Sequence, residues 1–324
     1  MTLNAGETPG LLAAGGTAFC WSMTALFFGA ASRRIGQYFV NQVRLVQACL
    51  FLTLACAVAG VFAFDAPAPQ LAFLAVSGLV GLTLGDAAGF TALQVLGARR
   101  ASLLGSTAPG FAALMMVPLL GESLDWIGMA GRVITLGGVM GVVLERAQPG
   151  EIRGRVWVGV VMGLLGALGQ AGGLILSKVG LGAADDSWLA GAGGVQAGST
   201  VALSPLFGTL VRMLAGTVAL YAWAIPTRTL ALFSPEARDR KALVQTTAGA
   251  FFGPFVGVSL SLAAVTWANT AVAATVMATS PVLVIPVVRL VYKHPITWRA
   301  LAGALVAVAG VGVLALRERI AGLL

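Results

Sequence analysis

The chain repeats a long stretch of its own sequence at an offset of 172 residues. STAPGFAALMMVPLLGESLDW (106–126) returns as ATSPVLVIPVVRLVYKHPITW (278–298), so that Pro109 matches Pro281 and Trp126 matches Trp298 without a gap. The chain is therefore predicted to contain two copies of one unit, at 1–147 and 148–324. Smaller residues keep the same offset: Gly81 and Gly253, Gly85 and Gly257, Thr107 and Thr279, Gly131 and Gly303, and Gly138 and Gly310.

The composition places both copies in a membrane. Of all residues, 58% are hydrophobic and only 10% are charged, whereas soluble domains carry about 25% charged residues. A helix needs about 20 apolar residues to cross a bilayer. Ten runs approach or exceed that length, and they predict an all-α membrane protein with ten transmembrane helices at about 10–31, 37–62, 71–97, 101–120, 126–144, 156–178, 201–224, 243–268, 271–292 and 298–316.

Five spans per copy is an odd number, so the second copy enters the membrane from the opposite side. This arrangement is an inverted-topology repeat, whose two equivalent halves can open a central site to one face and then to the other. The repeat therefore favours a transporter over a purely structural membrane protein. The fifth spans, 126–144 and 298–316, contain no mid-span acid or amide, and we expect them to be peripheral packing helices or the contacts of a homodimer.

The sequence has few features of an enzyme or of a nucleic-acid-binding protein. The formal net charge is +8, but most basic residues lie in short gaps between apolar runs. The sole histidine is His294, the three cysteines lie inside apolar runs, and no nucleotide-binding or hydrolase motif occurs. We expect no catalytic residue, metal, cofactor or nucleic-acid partner. Two alternatives stay open: an intramembrane enzyme, which would need a nucleophile and a base, and the membrane subunit of an ATP-driven permease, which would need a coupling loop.

Lysine and arginine are unevenly distributed between the two ends of the predicted spans. One end of the spans, called the sparse side, has Lys178, Arg317 and Arg319, whereas the other end, called the rich side, has many more basic residues. Because basic loops stay in the cytoplasm, the bias predicts a cytoplasmic location for the rich side and an extracytoplasmic one for both termini. The rich side has Arg33, Arg34, Arg99, Arg100, Arg146, Arg153, Arg155, Arg228, Arg238, Arg240, Lys241, Lys293 and Arg299.

Asp86 is the most informative single residue, since it lies near the middle of the predicted third span. A carboxylate at that depth costs about 2.5–3.5 kcal/mol on insertion scales, so it should face the interior and have a partner. Arg44 in the second span is the best candidate, because the two lie within about 4–5 Å in depth. The pair is interpreted either as a structural link between two helices or as a group that responds to protons or substrate.

Other polar residues predict a central cavity between the copies, because transport sites in such repeats lie near the midplane. Interhelical hydrogen bonding is the alternative role for each of them. Pro109 and Pro281 predict a bend in the fourth and ninth spans, since proline removes a helix donor. With Arg44 and Asp86, the candidate cavity residues are Trp21, Ser22, Gln47, Thr107, Gln170, Thr279 and Ser280.

The stretch GDAAGFTALQVLGARRASLLGSTAPGFAALMMVPLLGESLDWIGMAGRVITLGGV and its echo from Gly257 to Gly310 resemble the EamA-type, ten-span branch of the drug/metabolite transporter superfamily. Similar features are the small-residue third span that leads to Ala92-Leu93, the proline of the fourth span and the Gly121-Glu122 pair. Trp21 is similar to a tryptophan often found in the first span of this branch. The resemblance covers nearly the whole chain.

The resemblance implies a permease of the cell membrane that moves small metabolites or drugs, often amino-acid-like compounds and usually outward. Its partners would be the lipid bilayer and a small-molecule substrate. Lys293-His294 stands where the second copy would have Gly-Glu, so that loop departs from the pattern. Family members also more often have both termini in the cytoplasm, which conflicts with the orientation predicted from charge.

Overall fold

The regular secondary structure is all helical in the residues that the computed structural model describes, namely 7–122, 125–145, 155–184, 186–195, 200–227, 230, 239–280, 282–283 and 298–316. Helices satisfy their own backbone hydrogen bonds, as a lipid environment requires. In the first copy the helices are α1 (Thr8–Ile35), α2 (Gln37–Ala59), α3 (Ala68–Gly78), α4 (Asp86–Gly105), α5 (Ala108–Leu120) and α6 (Trp126–Glu145).

The second copy adds a short helix to the same sequence of elements. A π-helical segment joins α3 to α4 at Leu79–Gly85, and the second copy has another at Phe251–Gly257. The helices are α7 (Val156–Gly180), α8 (Trp188–Ala192), α9 (Pro205–Ala224), α10 (Arg240–Ala250), α11 (Val258–Trp267), α12 (Thr270–Met277) and α13 (Trp298–Ala315).

Six helices in the described part of the chain are long and apolar enough to cross a membrane. Ala108–Leu120 and Leu301–Leu314 are shorter apolar helices. The all-helical membrane architecture predicted from the sequence is therefore present, while the full set of ten spans stays a prediction. The six are Thr8–Ile35, Gln37–Ala59, Ala68–Leu96, Val156–Gly180, Pro205–Ala224 and Arg240–Trp267.

The junction of the predicted third and fourth spans is corrected by the structure. The sequence predicts a break at 98–100, but α4 continues through it to Gly105 because alanine and arginine are strong helix formers. The chain turns instead at 106–107, and Pro109 lies in the first turn of α5, where a missing N–H has no consequence. Pro109 thus starts a helix rather than bending one. Its counterpart Pro281 lies outside the described residues.

The two π-helical segments repeat at the offset of the sequence repeat. Leu79–Gly85 plus 172 gives Phe251–Gly257, the bounds of the second segment. Such wide turns inside α-helices occur frequently at functional sites. Asp86 immediately follows the first segment, and Val258 occupies the matching position after the second.

Each copy packs its first helix against the third span of the other copy. We call each of these two contacts between the copies a seam. In the first seam α1 runs along α10 and α11: Gly10 lies against Ala268, and Thr17 Oγ1 donates to the Gly257 carbonyl at 3.3 Å. The order of these contacts makes the two elements antiparallel. Glycines permit the approach, since a Cβ at Gly10 would lie 2.7 Å from the Cβ of Ala268.

The second seam has α7 along α3 and α4 in the same register. Gly159 lies against Leu96, and a Cβ on Gly166 would be 3.2 Å from the Gly85 carbonyl oxygen. Leu96 and Gly85 plus 172 give Ala268 and Gly257, the contacts of the first seam. The two copies therefore make equivalent contacts with each other, and the matched glycines of both predicted spans favour such close approach.

Apolar side chains fill the space between these seams. The largest cluster lies where α2, α3 and α9 meet, and it includes fully buried Leu45, Leu52, Leu74 and Met213. The polar residues described below interrupt this packing.

The fifth helices of the two copies, α6 and α13, pack against each other within the chain. A Cβ on Gly131 would lie 3.2 Å from the Gly310 carbonyl oxygen, and a Cβ on Gly310 would lie 2.8 Å from that of Gly131. This contact fits the expected packing role; a homodimer stays a prediction.

Replacing Gly138 with alanine should destabilise the α6–α13 contact. The added Cβ would lie 2.6 Å from the Gly303 carbonyl oxygen and 2.8 Å from the Cα of Ala307, so backbone must move. Overpacking of this kind costs about 1–3 kcal/mol, and we expect a lower unfolding temperature for the purified protein in detergent. Gly137→Ala is the matched control, because a Cβ there meets nothing within 4 Å. Equal unfolding temperatures for the two variants would contradict the packing.

Candidate functional site

A buried ion pair joins Asp86, the first residue of α4, to Arg44 in α2. Nη2 of Arg44 donates to Oδ2 of Asp86, and the two side chains are 13% and 17% exposed. These are the two residues that the sequence predicts as partners. The pair lies in apolar surroundings, where its charges interact more strongly than in water.

Three neighbours hold the Arg44 side chain in place. Its Nε donates to Oδ1 of Asn41 at 2.8 Å. Its guanidinium carbon lies 5.6 Å from the ring centroids of both Phe28 and Phe90, within the range of cation–π attraction. Phe28 and Phe90 were not expected from the sequence, because isolated phenylalanines in apolar spans carry no distinguishing signal.

The second oxygen of Asp86 accepts a hydrogen bond from the other copy. Nε2 of Gln170, in α7, donates to Oδ1 of Asp86 at 2.9 Å and lies 3.2 Å from the Gly81 carbonyl oxygen. Gly81 belongs to the π-helical segment that precedes α4. The carboxylate thus links α2 of the first copy with α7 of the second, across the interface between the copies.

Arg212 in α9 is the second cation at this interface. Only 2% of its surface is exposed, and its Nη2 occupies a space that glycines leave open. A Cβ on Gly81 would lie 3.2 Å from that nitrogen, and one on Gly173 would lie 3.4 Å from it. Arg212 resembles Arg44 in its sequence context, since it lies in VRML and Arg44 lies in VRLV. The sequence does not show that Arg212 lies beside Gly81.

Other candidate cavity residues form separate contacts. Oγ of Ser22 donates to the Ser280 carbonyl oxygen at 2.7 Å and lies 3.2 Å from its Oγ. Nε2 of Gln47 donates to Oγ1 of Thr247 at 2.8 Å, between α2 and α10. Trp21 lies against the second π-helical segment, since a Cβ on Gly257 would be 3.2 Å from its Nε1.

Thr107 and Thr279 stabilise the helix breaks of the two copies. Oγ1 of Thr107 donates to the Leu104 carbonyl oxygen at 2.6 Å, and Oγ1 of Thr279 donates to that of Val276 at 2.7 Å. Both bonds satisfy a carbonyl at the end of a helix. Both threonine hydroxyls therefore bond to nearby backbone of their own copy in this structure, and their role in lining a cavity stays a prediction.

A second polar cluster, which the sequence did not predict, ties together α5, α7 and α12. Nζ of Lys178 donates to Oε1 of Glu122 at 2.8 Å and to the Ala268 carbonyl oxygen at 3.1 Å. Glu122 also accepts from Thr270, through its N–H at 2.9 Å and its hydroxyl at 2.8 Å. The sequence did contain a signal for this cluster: Lys178 lies in the last turn of an apolar helix, on the side that is poor in basic residues.

The opposite end of the molecule has a more exposed ion pair. Nε of Arg34, in the last turn of α1, donates to Oδ2 of Asp239 at 2.8 Å, and the side chains are 45% and 26% exposed. Asp239 also caps α10 by accepting from the N–H of Ala242 at 3.0 Å. The bond from Ala242 and the one from Arg34 lower the pKa of Asp239 below its usual value.

Comparison with known proteins gives a family and a fold. A model of the EamA-like transporter family matches residues 8–144 and 157–316. Among solved structures, a crystal structure described only as that of a protein has a TM-score of 0.74 at 17% sequence identity, and the match covers 97% of this chain and 98% of that chain. At this identity the likeness shows the fold alone. Comparison with curated proteins gives no match.

Removing either member of the Arg44–Asp86 pair should destabilise the protein. A buried charge that loses its partner costs about 3–5 kcal/mol, so Asp86→Asn and Arg44→Gln should each unfold at a markedly lower temperature in detergent. The Asp86→Asn/Arg44→Gln double variant removes both charges and should recover much of the loss. A double variant whose loss equals the sum of the single losses would contradict a direct interaction.

Proposed function

The chain belongs to the EamA-like transporter family, within the drug/metabolite transporter superfamily, and on that premise we propose that it is a secondary transporter. It moves a small metabolite or drug across the membrane by alternating access. The transported compounds are amino-acid-like or other small polar or amphipathic molecules, and the direction is export. The two-repeat membrane architecture of the family supports this proposal.

Helix directions support two inverted repeats. Arg44 lies over Phe28, and both are eight residues from Gly36, which joins α1 to α2, so these helices are antiparallel. The Arg44–Asp86 contact and the shared cluster of Cys56 and Leu74 make α3 and α4 antiparallel to α2. They therefore run parallel to α1, while α7 runs antiparallel to them. The second copy thus starts in the direction opposite to the first.

The observation that carries the proposal is that Asp86 bonds to a residue of each copy. In inverted-repeat transporters the site lies between the copies, near the midplane. Asp86 has one oxygen bound to Arg44 of the first copy and the other to Gln170 of the second. A substrate or proton that competes for this carboxylate changes the contact between the halves that must move.

The Glu122–Lys178 cluster is suited to close one end of the transport route. It joins the end of α5 and the end of α7 to the start of α12, and the Lys178 side chain is 10% exposed. The Arg34–Asp239 pair at the other end is more exposed. We assign the closed end to the extracytoplasmic face, as the distribution of basic residues predicts.

Purified protein in proteoliposomes should catalyse saturable uptake of its substrate without ATP or a partner protein. A library of amino acids, related metabolites and drugs, screened by thermal stabilisation, would supply substrates, because a ligand of the folded state raises its stability.

Asp86→Asn that still folds should transport at a lower rate and with an altered pH dependence. Normal transport and pH dependence in that variant would contradict a functional role for Asp86; a need for an ATPase would contradict secondary transport.

Glu122→Gln should open the closed end. With Cys20, Cys49 and Cys56 replaced by alanine, a cysteine at Ser280 should react several-fold faster with a membrane-impermeant maleimide added from the Glu122 face. Loss of the Glu122 charge weakens its bonds to both Lys178 and Thr270. Asp125→Asn is the control, since it removes an acid close by in sequence that caps α6 instead. Equal labelling rates in the two variants would contradict a gate.

A further inference from the structure

Among the described residues, Arg212 is a buried cation that forms no ion pair of its own; the negative charge that acts on it is that of Asp86. Its side chain belongs to a residue that is 2% exposed, and among the described residues nothing bonds to its Nε or Nη1. Both oxygens of Asp86 are already bound, to Arg44 and to Gln170. This central cluster therefore has two guanidinium groups and one carboxylate, an excess of one positive charge.

The repeat shows how this excess arises. Arg212 echoes Arg44, but the position that matches Asp86 holds Val258, so the second arginine has no equivalent acid. Val258 packs against the apolar cluster that holds Met213, the residue next to Arg212.

The arginines also differ in the space beside them. Gly173 leaves room for the Arg212 guanidinium next to Gly81. In the other seam Thr24 fills the equivalent place, since a Cβ on Gly253 would lie 2.8 Å from its Oγ1. Arg44 therefore turns to Asp86, whereas Arg212 enters a space lined by glycines at the interface between the copies.

An unpaired charge inside a membrane protein is costly, and buried charges are normally paired. From this imbalance we infer that Arg212 is the counter-ion for a monoanionic group, a carboxylate, on the transported compound. A carboxylate matches the planar fork of a guanidinium through two parallel hydrogen bonds. The inference rests on the proposed transport function and specifies its substrate class.

The carboxylate would reach the cluster along the Asp86 side, where Arg44 and Asp86 keep 13% and 17% of their side-chain surface exposed. Opening of the seam between α7 and α3 would then uncover Arg212. An anionic lipid headgroup offers related chemistry, but Arg212 lies about 10 Å along α9 from its first residue, Pro205. That depth favours a free solute over a headgroup held at the interface.

The test compares phenylacetate with phenylacetamide, which have similar shapes and differ in charge. The full-length protein is placed in phosphatidylcholine nanodiscs, with or without phosphatidylglycerol, and the unfolding temperature and tryptophan fluorescence are titrated. We expect phenylacetate to raise the unfolding temperature and phenylacetamide to leave it unchanged, in both lipid compositions. Equal effects of the two compounds, or stabilisation by phosphatidylglycerol without any by phenylacetate, would overturn the inference.

Variants then locate the effect. Arg212→Gln should weaken phenylacetate binding at least tenfold, and Arg212→Lys should weaken it less because the charge remains. Val258→Asp supplies the missing acid, and it should abolish the phenylacetate effect even if Arg212→Gln fails to fold. Unchanged phenylacetate affinity in Arg212→Gln or in Val258→Asp would overturn the inference.

Transport measurements separate this inference from the function on which it rests. Carboxylate binding that depends on Arg212, without transport of any compound in proteoliposomes, would support the anion site and refute the transporter. Transport of neutral compounds that is unaffected by Arg212→Gln would support the transporter and refute the anion site.

Discussion

A carboxylate placed inside an apolar helix bundle must be balanced, and Asp86 is balanced by groups from both copies of the repeat. Arg44 supplies the charge from α2, and Gln170 supplies a hydrogen bond from α7. Gln170 could not bond to Asp86 unless the copies packed closely at this level. The energetic cost of an unpaired charge in lipid therefore ties the interface between the repeats to one acidic residue.

Close packing depends in turn on the glycines that run along the seams. Gly85 faces Gly166 in one seam, and Gly257 faces Thr17 in the other, so backbones meet almost directly. Small residues at such contacts allow approach with little side-chain interlocking. Both π-helical segments lie in these stretches, where the backbone departs from regular α-helix. The same features that let the copies meet also leave contact surfaces without interlocking side chains.

The chemistry of the protein lies where its two copies differ. Asp86 is matched by Val258, and Gly173 beside Arg212 is matched by Thr24, which lies against Gly253. Among the described residues Arg44 forms an ion pair with Asp86, whereas Arg212 forms none and is influenced only by the charge of that same carboxylate. Glu122 with Lys178 adds a further difference, since Lys293-His294 replaces the Gly-Glu pair in the second copy. The shared residues build two equivalent frames, and the unshared ones give the interface its charge.

The sequence by itself determined the membrane class, the two-copy organisation and the Arg44–Asp86 pair, because hydropathy, repeat offset and helical depth can be counted along the chain. It did not determine where α4 ends, since Ala98-Arg99-Arg100 resembles a loop but supports a helix. Nor did it determine that Gln170 binds Asp86 or that Lys178 binds Glu122, residues 84 and 56 positions apart. Those contacts depend on how each helix is rotated about its axis and which neighbour it meets. Packing of the whole bundle sets both, and no local pattern records them.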